Sequence, residues 1–185
     1  MRLFSRLKQL YLTHFSKPVD DRCVYRAIRR TRPQSILEIG VGVGNRAVRM
    51  IELTRLLDPA SQLHYVGIDE FEGRAKSDSP VLTLKQAHTL LRATPAKVQV
   101  VPGDPLSALS RVANSLKDID LVIVAHDQQG ESLARAWFFL PRTLHASSLV
   151  LQEIRDEASG DTKFVPVERS EVDTRAQQFV RRKAA

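Results

Sequence analysis

Beyond residue 33, short runs of Val, Ile and Leu alternate with longer stretches in which apolar residues recur every three to four positions. The short runs show no alternation of polar and apolar residues, which is typical of parallel strands covered by helices on both faces. They predict five strands, at residues 35–39, 64–68, 97–101, 121–125 and 148–154. No internal repeat or low-complexity tract interrupts this order.

The longer stretches predict helices at residues 46–57, 80–92, 105–116 and 131–144. Two of them have a clear start signal, because Ser79-Pro80 and Asp104-Pro105 each place a capping oxygen before a proline at the first helical position. Strands that alternate with helices in this way imply right-handed crossovers and a Rossmann-like, doubly wound α/β fold with a mostly parallel sheet. Ligands of such sheets bind beyond the carboxyl ends of the strands.

The C-terminal region follows a less regular pattern. Residues 162–168 read as a further strand, and residues 177–183 fit either a last strand or a helix. We favour a strand, since two extended segments would close the edge of the sheet as an antiparallel hairpin.

The charge of the chain is concentrated at its N-terminus. Residues 1–33 hold nine Lys and Arg against two Asp, which accounts for the whole net charge of +7. Residues 34–185 are balanced, so the composition gives no general nucleic-acid signal. We therefore predict a basic helical extension at 1–33 and one domain at 34–185.

The first 19 residues contain no acid, and Leu3, Phe4, Leu7 and Leu10 share one face of a helix. Such a segment is typical of a membrane-surface helix. It also fits a cap that packs its apolar side on the domain and leaves its charges in solvent. Both interpretations stay open at this point.

Two features of the composition concern the compartment. The single cysteine, Cys23, excludes an internal disulfide and a cysteine zinc site, and it fits a reducing environment. No apolar run approaches the roughly 20 residues that cross a bilayer. These features predict a cytoplasmic protein.

The most informative segment is a glycine loop at the end of the first predicted strand. Gly40, Gly42 and Gly44 stand at alternate positions where the strand turns into a helix, with Glu38 inside the strand. Glycine permits the tight turn and lets a ligand lie against bare backbone, while the helix start offers free N–H groups. The dinucleotide fingerprint fails at Asn45, where it requires Gly or Ala. A nicotinamide cofactor is thereby disfavoured.

This E-x-G-x-G-x-G pattern resembles motif I of the class I S-adenosylmethionine-dependent methyltransferases. Residues 64–70, 100–104 and 118–124 are similar, in that order, to the second, third and fourth strands of the family and their turns. The resemblance covers about residues 35–154. It implies a methyltransferase with S-adenosylmethionine as cofactor, in which Glu38 and the Gly40–Gly44 backbone, with Asn45 beside them, face the methionine moiety.

The same resemblance implies that Asp69, or its neighbour Glu70, accepts hydrogen bonds from the ribose hydroxyls, and that Asp104 reaches the adenine. An ionised carboxylate offers two acceptor oxygens to a vicinal diol, which suits the ribose role. Two alternatives remain at this point. Glu38 could pair with a nearby arginine, and Asp104 could serve only as a helix cap.

The acceptor side is nearest to small-molecule O-methyltransferases but departs from them. Ala125 stands where an acid is expected, Gln152 replaces one acid of a pair, and the Gly-Gly turn is missing. Asp127 with Glu153 is a thin ligand set for a hard cation, so we expect no metal. A small-molecule acceptor is expected, with His126 or Asp127 as the base. The alternative is a catalytically weakened relative that serves as a binding or regulatory module.

Overall fold

The computed structural model describes residues 2–74, 82–156 and 158–184, and its strands form one six-stranded sheet. The strand order is β3-β2-β1-β4-β5-β6, with β6 antiparallel to β5 and all the other pairs parallel. The strands are β1 Ser35–Ile39, β2 His64–Asp69, β3 Lys97–Pro102, β4 Ile119–Val124, β5 Leu144–Arg155 and β6 Thr162–Val167. This sheet confirms the predicted Rossmann-like architecture.

Helices cover both faces of the sheet. They are α1 Arg2–His14, α2 Asp21–Thr31, α3 Asn45–Leu57, α4 Leu84–Arg92, α5 Pro105–Val112, α6 Gly130–Ala136 and α7 Arg169–Ala184. Helix α5 begins after Asp104 as predicted, whereas α4 begins later than predicted, after a capping box between Thr83 and Gln86. The predicted start at Ser79-Pro80 lies outside the described residues.

The predicted strand at 162–168 is present as the antiparallel edge strand β6, but the predicted strand at 177–183 was wrong, because these residues belong to helix α7. Val172 and Ala176 are buried and four positions apart, so a helix places both on the domain. The predicted helix at 131–144 is also shorter. α6 passes into a 3-10 segment, Trp137–Thr143, that contains Pro141, and β5 begins directly after it.

The alternating side chains of β1 divide the core into two layers. Leu37 and Ile39 face the layer that contains α5 and α6, whereas Ile36 faces the layer that contains α2 and α3. Val24, Tyr25 and Ile28 of α2 lie in this second layer and are fully buried. Helix α2 is thus part of the hydrophobic core. The division of the chain at residue 33 stays a prediction.

Helix α1 lies on the domain in the opposite orientation to the cap expected from its sequence. Phe4, Leu7 and Leu10 are exposed, so the expectation that they pack on the domain was wrong. The side of α1 that faces α3 is polar: Lys8 pairs with Glu52 at 3.1 Å, and Gln9 donates to the carbonyl oxygen of Leu56. The Leu3 side chain lies outside the described part. Within residues 2–74, 82–156 and 158–184, no helix has the length and apolar character needed to span a bilayer.

Candidate active site

A cleft of about 250 Å³ lies at the carboxyl ends of β1 and β4 and beside β5. The glycine loop, residues 125–127 and Glu153 line it, together with Arg46 and Arg49 of α3, Asp21 at the start of α2, and Lys17 and Pro18 between α1 and α2. The position agrees with the rule that parallel sheets bind ligands at the carboxyl ends of their strands.

Two glycines of the loop have different local roles. Gly40 has φ +93°, and a Cβ there would lie 2.6 Å from the Cβ of Ala125, so no side chain fits between β1 and β4. Gly42 has φ +57°, and a Cβ there would meet nothing within 4 Å. The bare backbone at Gly42 therefore borders open space in the cleft, as a ligand-cradling loop requires.

Asp69, at the end of β2, holds the glycine loop. Its Oδ2 accepts from the backbone N–H of Gly42 at 2.9 Å, and its Oδ1 accepts from the backbone N–H of Phe71 at 3.0 Å. Oδ1 also accepts from Nη2 of Arg74 at 2.8 Å, and the residue is 1% exposed. The carboxylate is thus engaged by protein donors on both oxygens.

Glu70 has a different environment. It is half-buried and precedes the 3-10 turn Phe71–Gly73. The sequence left Asp69 and Glu70 as alternatives for the ribose. Because both oxygens of Asp69 already accept from protein donors, Glu70 is the better candidate for the ribose hydroxyls. The ribose contact itself stays a prediction.

Arg74 connects two strand ends across the glycine loop. Its guanidinium pairs with Asp69 after β2 and with Asp127 after β4, and β1 lies between these two strands in the sheet. The bridge draws Asp127 towards β2. Sequence reasoning missed Arg74, because nothing local marks an arginine whose partners are 5 and 53 positions away.

Glu38 is fully buried and pairs with an arginine, which is the alternative to a cofactor contact that the sequence left open. Its Oε1 accepts from Nε of Arg46 at 2.7 Å, and its Oε2 accepts from the hydroxyl of Tyr65. Burial raises the pKa of Glu38, against the lowering effect of the Arg46 guanidinium. Its contact with the methionine moiety of a cofactor stays a prediction.

Arg46 collects three carboxylates around one guanidinium. Besides Glu38, Asp21 of α2 and Glu153 of β5 each lie 3.6 Å from Nη1. Burial raises the pKa of Asp21, against the nearby Arg46 charge. Asp21, Arg46 and Glu153 line the cleft, whereas Glu38 is fully buried and does not line it. Neither Asp21 nor Arg46 was among the predicted site residues, although Arg46 directly follows the glycine loop.

His126 and Glu153 form a pair at the ends of β4 and β5. Nδ1 of His126 lies 3.1 Å from Oε2 of Glu153, and the same oxygen accepts from the backbone N–H of His126 at 3.1 Å. The imidazole is held by this double contact and is about one-third exposed towards the cleft. Of the predicted base candidates, His126 has the geometry of an oriented base, while Asp127 is engaged by Arg74.

Asp104 caps α5, where its Oδ1 accepts from the backbone N–H groups of Leu106 and Ser107 at 3.0 and 3.2 Å. Although burial alone would raise it, hydrogen bonds from Ser107 and Ser132 hold the pKa of Asp104 at about 2. The capping role is thus present, and the adenine contact stays a prediction. Asn45 is exposed and lines the cleft at the start of α3.

In the part of the chain that the structure describes, no group of three His, Cys, Asp or Glu side chains is arranged to hold a metal ion. Asp21, Glu38 and Glu153 converge on Arg46, and Asp127 pairs with Arg74. Metal independence stays a prediction.

Solved structures with the same fold match this chain over most of its length. An O-methyltransferase from Bacillus cereus, in complex with S-adenosylhomocysteine, matches with a TM-score of 0.55 and 16% identity over 96% of this chain and 77% of that one. The O-methyltransferase TomG from Streptomyces achromogenes, in complex with S-adenosylmethionine, matches with a TM-score of 0.54 and 15% identity over 97% and 77%. The chain has the class I methyltransferase fold.

A TehB-like S-adenosylmethionine-dependent methyltransferase from Corynebacterium glutamicum has the same fold, with a TM-score of 0.52 and 16% identity over 96% of this chain and 80% of that one. A scan against protein-family models finds no match, and neither does a search of curated proteins. The methyltransferase fold is therefore recognised from structure rather than from overall sequence similarity.

Proposed function

We propose that this protein is an S-adenosylmethionine-dependent methyltransferase that transfers a methyl group to a hydroxyl of a small molecule. The observation that carries the proposal is the backbone of Gly42, which borders open space in a cleft at the carboxyl end of β1. The fold supports it, because similar folds from B. cereus and S. achromogenes were crystallised with the cofactor or its demethylated product.

The glycine loop of the cleft fits this cofactor, because the Gly40–Gly44 backbone and Asn45 would hold its methionine end. Glu70 and Asp104 lie beyond the lining of the cleft, after β2 and β3, and would hold its ribose and its adenine. The cofactor supplies an electrophilic methyl group on a positively charged sulfonium. The cleft is lined by three carboxylates, of Asp21, Asp127 and Glu153, and by three cationic side chains, of Lys17, Arg46 and Arg49. Its lining therefore has no formal excess of positive charge that would repel the sulfonium.

His126 serves as the base in this proposal. When Nδ1–H donates to Glu153, Nε2 presents its lone pair for a proton. Nε2 would take the proton of the acceptor hydroxyl, whose oxygen would receive the methyl group as the methyl–sulfur bond breaks, and the bond's electron pair would leave on sulfur as the neutral thioether of S-adenosylhomocysteine. Glu153 is a positioning residue, because it fixes both the ring and the backbone of His126. Asp127 anchors Arg74, and no metal takes part.

The alternative, a binding module without turnover, rests on Ala125, which stands where the related O-methyltransferases are expected to carry an acid. The oriented His126–Glu153 pair argues against it, because a module that only binds has no need of an oriented base.

Calorimetry with S-adenosylhomocysteine tests the proposal, with NAD as the control. We expect one-to-one binding of S-adenosylhomocysteine and none of NAD. Binding of NAD instead would overturn the proposal. Transfer of labelled methyl groups from S-adenosylmethionine to a panel of simple phenols, unchanged by EDTA, then separates an enzyme from a binding module.

A further inference from the structure

Helix α1 presents an apolar face to solvent. Of the eight large apolar side chains exposed in the described part of the chain, six lie between residues 4 and 19: Phe4, Leu7, Leu10, Tyr11, Phe15 and Val19. Phe4 is 72% exposed and Phe15 63%. We call Phe4, Leu7, Leu10, Tyr11 and Phe15 the α1 stripe. The first four share one helical face by their spacing of three to four residues, and Phe15 follows directly after the helix.

The opposite face of α1 meets the domain and is mostly polar. Leu12 and Thr13 are buried there, and Thr13 donates back to the carbonyl oxygen of Gln9 at 2.8 Å. The burial of Leu12 and Thr13, the Lys8–Glu52 pair and the hydrogen bond from Gln9 to Leu56 fix the orientation of the helix on the domain. The α1 stripe therefore cannot turn inward without breaking the packing of Leu12. An exposed apolar patch of this kind marks a surface that another apolar phase covers.

The charges beside the stripe indicate what covers it. At about 100° per residue, Arg6 and Lys8 lie on its two edges. Residues 1–19 contain four basic residues and no acid. Basic side chains at the edges of an apolar face are typical of helices that lie in the plane of an anionic lipid surface, where the stems remain in the apolar layer and the charges reach the headgroups.

Pairing of two copies through the same stripe is a poorer fit. It would bring the basic edges of the two stripes together, and although Glu52 pairs with Lys8, residues 1–19 offer no carboxylate to neutralise Arg6. We propose that the α1 stripe docks this protein on an anionic lipid bilayer. Lys17 and Pro18, which lie between Phe15 and Val19, line the cleft, so the docking surface reaches the mouth of the site.

Vesicle co-sedimentation tests this proposal, using the full chain with phosphatidylcholine vesicles that contain or lack phosphatidylglycerol. We expect binding to the anionic vesicles that weakens as salt is added. Leu7→Ser/Leu10→Ser should reduce the partition coefficient at least about tenfold. Arg6→Gln should reduce it about fivefold. Ile154→Ser and Arg92→Gln, which change an exposed apolar residue on β5 and an exposed arginine on α4, should leave it unchanged.

Equal binding to both kinds of vesicle, or no loss of binding in Leu7→Ser/Leu10→Ser, would overturn the proposal. The proposal would also be overturned if the wild type did not bind vesicles but sedimented as a dimer that Leu7→Ser/Leu10→Ser abolishes. Preferential binding of a polynucleotide over vesicles would overturn it as well. Affinity for S-adenosylhomocysteine should be the same in all of these variants. Failure of lipid docking is therefore distinct from failure of the proposed methyltransferase function.

Discussion

Nε of Arg46 donates a 2.7 Å hydrogen bond to Oε1 of Glu38, and this joins the first residues of α3 to the interior of β1. The glycine loop lies between the two residues in sequence. The pair therefore closes the loop at its base, while the carboxylate of Asp69 holds it from the side of β2. Much of the shape of the cleft depends on these two contacts.

Replacing Arg46 should destabilise the protein. Arg46→Met leaves the buried Glu38 carboxylate without its charged partner, which typically costs about 3–5 kcal/mol. Arg55→Gln, on the exposed side of the same helix, should change the free energy of unfolding by less than about 0.5 kcal/mol. Urea denaturation measures both. Glu38→Gln combined with Arg46→Met should recover part of the loss, because Glu38 is then no longer an unpaired buried carboxylate, while Asp21 still lacks its cation. A double variant less stable than the single one would contradict the pairing of Glu38 with Arg46.

Gly42 should be essential for binding but not for folding. Asn tolerates the left-handed conformation better than other side chains, so Gly42→Asn should fold and place its amide in the open space of the cleft. We expect affinity for S-adenosylhomocysteine to fall at least about tenfold, with little change in melting temperature. A folded variant with unchanged affinity would remove the loop from the cofactor site.

Substitutions at Asp69 and at Glu70 should have different effects, on the stability of the fold and on cofactor binding respectively. Glu70→Gln should weaken binding of S-adenosylhomocysteine about tenfold, since a hydrogen bond to a charged group is worth about 1.5–3 kcal/mol. The free energy of unfolding of Glu70→Gln should equal that of the wild type. Asp69→Asn should lower stability in the absence of any ligand, because one amide oxygen cannot serve the loop, the turn and Arg74 together. Loss of affinity in Asp69→Asn alone, at unchanged stability, would return the ribose role to Asp69.

The contribution of the Asp104 helix cap to stability should depend on pH. Asp104→Ala should cost about 1 kcal/mol at neutral pH. The folded pKa of about 2 lies below the unfolded value, so the carboxylate stabilises the fold above the unfolded pKa, and that contribution disappears as pH falls towards 2. The difference between wild type and Asp104→Ala should therefore shrink between pH 4 and pH 2.

A second substitution at the same position tests the adenine contact. Asp104→Ser retains a good capping residue but removes the longer carboxylate. If Asp104 contacts the adenine, affinity for S-adenosylhomocysteine should fall in Asp104→Ser while stability at neutral pH stays close to that of the wild type. Equal affinity would leave Asp104 as a helix cap only.

His126 should be needed for methyl transfer. His126→Gln should lower kcat about 10²- to 10⁴-fold, because it removes the base that takes the proton of the acceptor. Glu153→Gln should lower kcat more than it raises KM, because Glu153 positions the His126 ring. His145→Gln is the matched control, since His145 pairs with Asp120 at 3.0 Å and does not line the cleft. An unchanged kcat in His126→Gln would eliminate His126 as the base.

The strands and the glycine loop were predictable from the sequence because their causes are local. A run of apolar residues such as Ile36, Leu37 and Ile39 needs no distant partner to favour a buried strand. The Gly40–Gly44 pattern likewise marks a turn that only glycines form easily. Residues 35–39 were predicted with their observed bounds for this reason.

The orientation of α1 and the nature of residues 177–183 depended on neighbours far along the chain. Apolar spacing shows that α1 has an apolar side but does not show which way that side faces. Contacts with Glu52 and Leu56 of α3 decide it. In α7, the burial of Val172 and Ala176 against the domain favours a helix, whereas the sequence of 177–183 is compatible with both structures.

The sequence by itself thus determined where the site lies and which residue types reach it, because the carboxyl ends of parallel strands follow from the order of strands and helices. Only the tertiary structure decided how those residues are used. Glu38, Asp21 and Glu153 come from three different elements and meet at Arg46, and Asp69 is engaged by protein donors before any ligand arrives. Such pairings depend on distances between side chains that are far apart in sequence, and no local pattern encodes those distances.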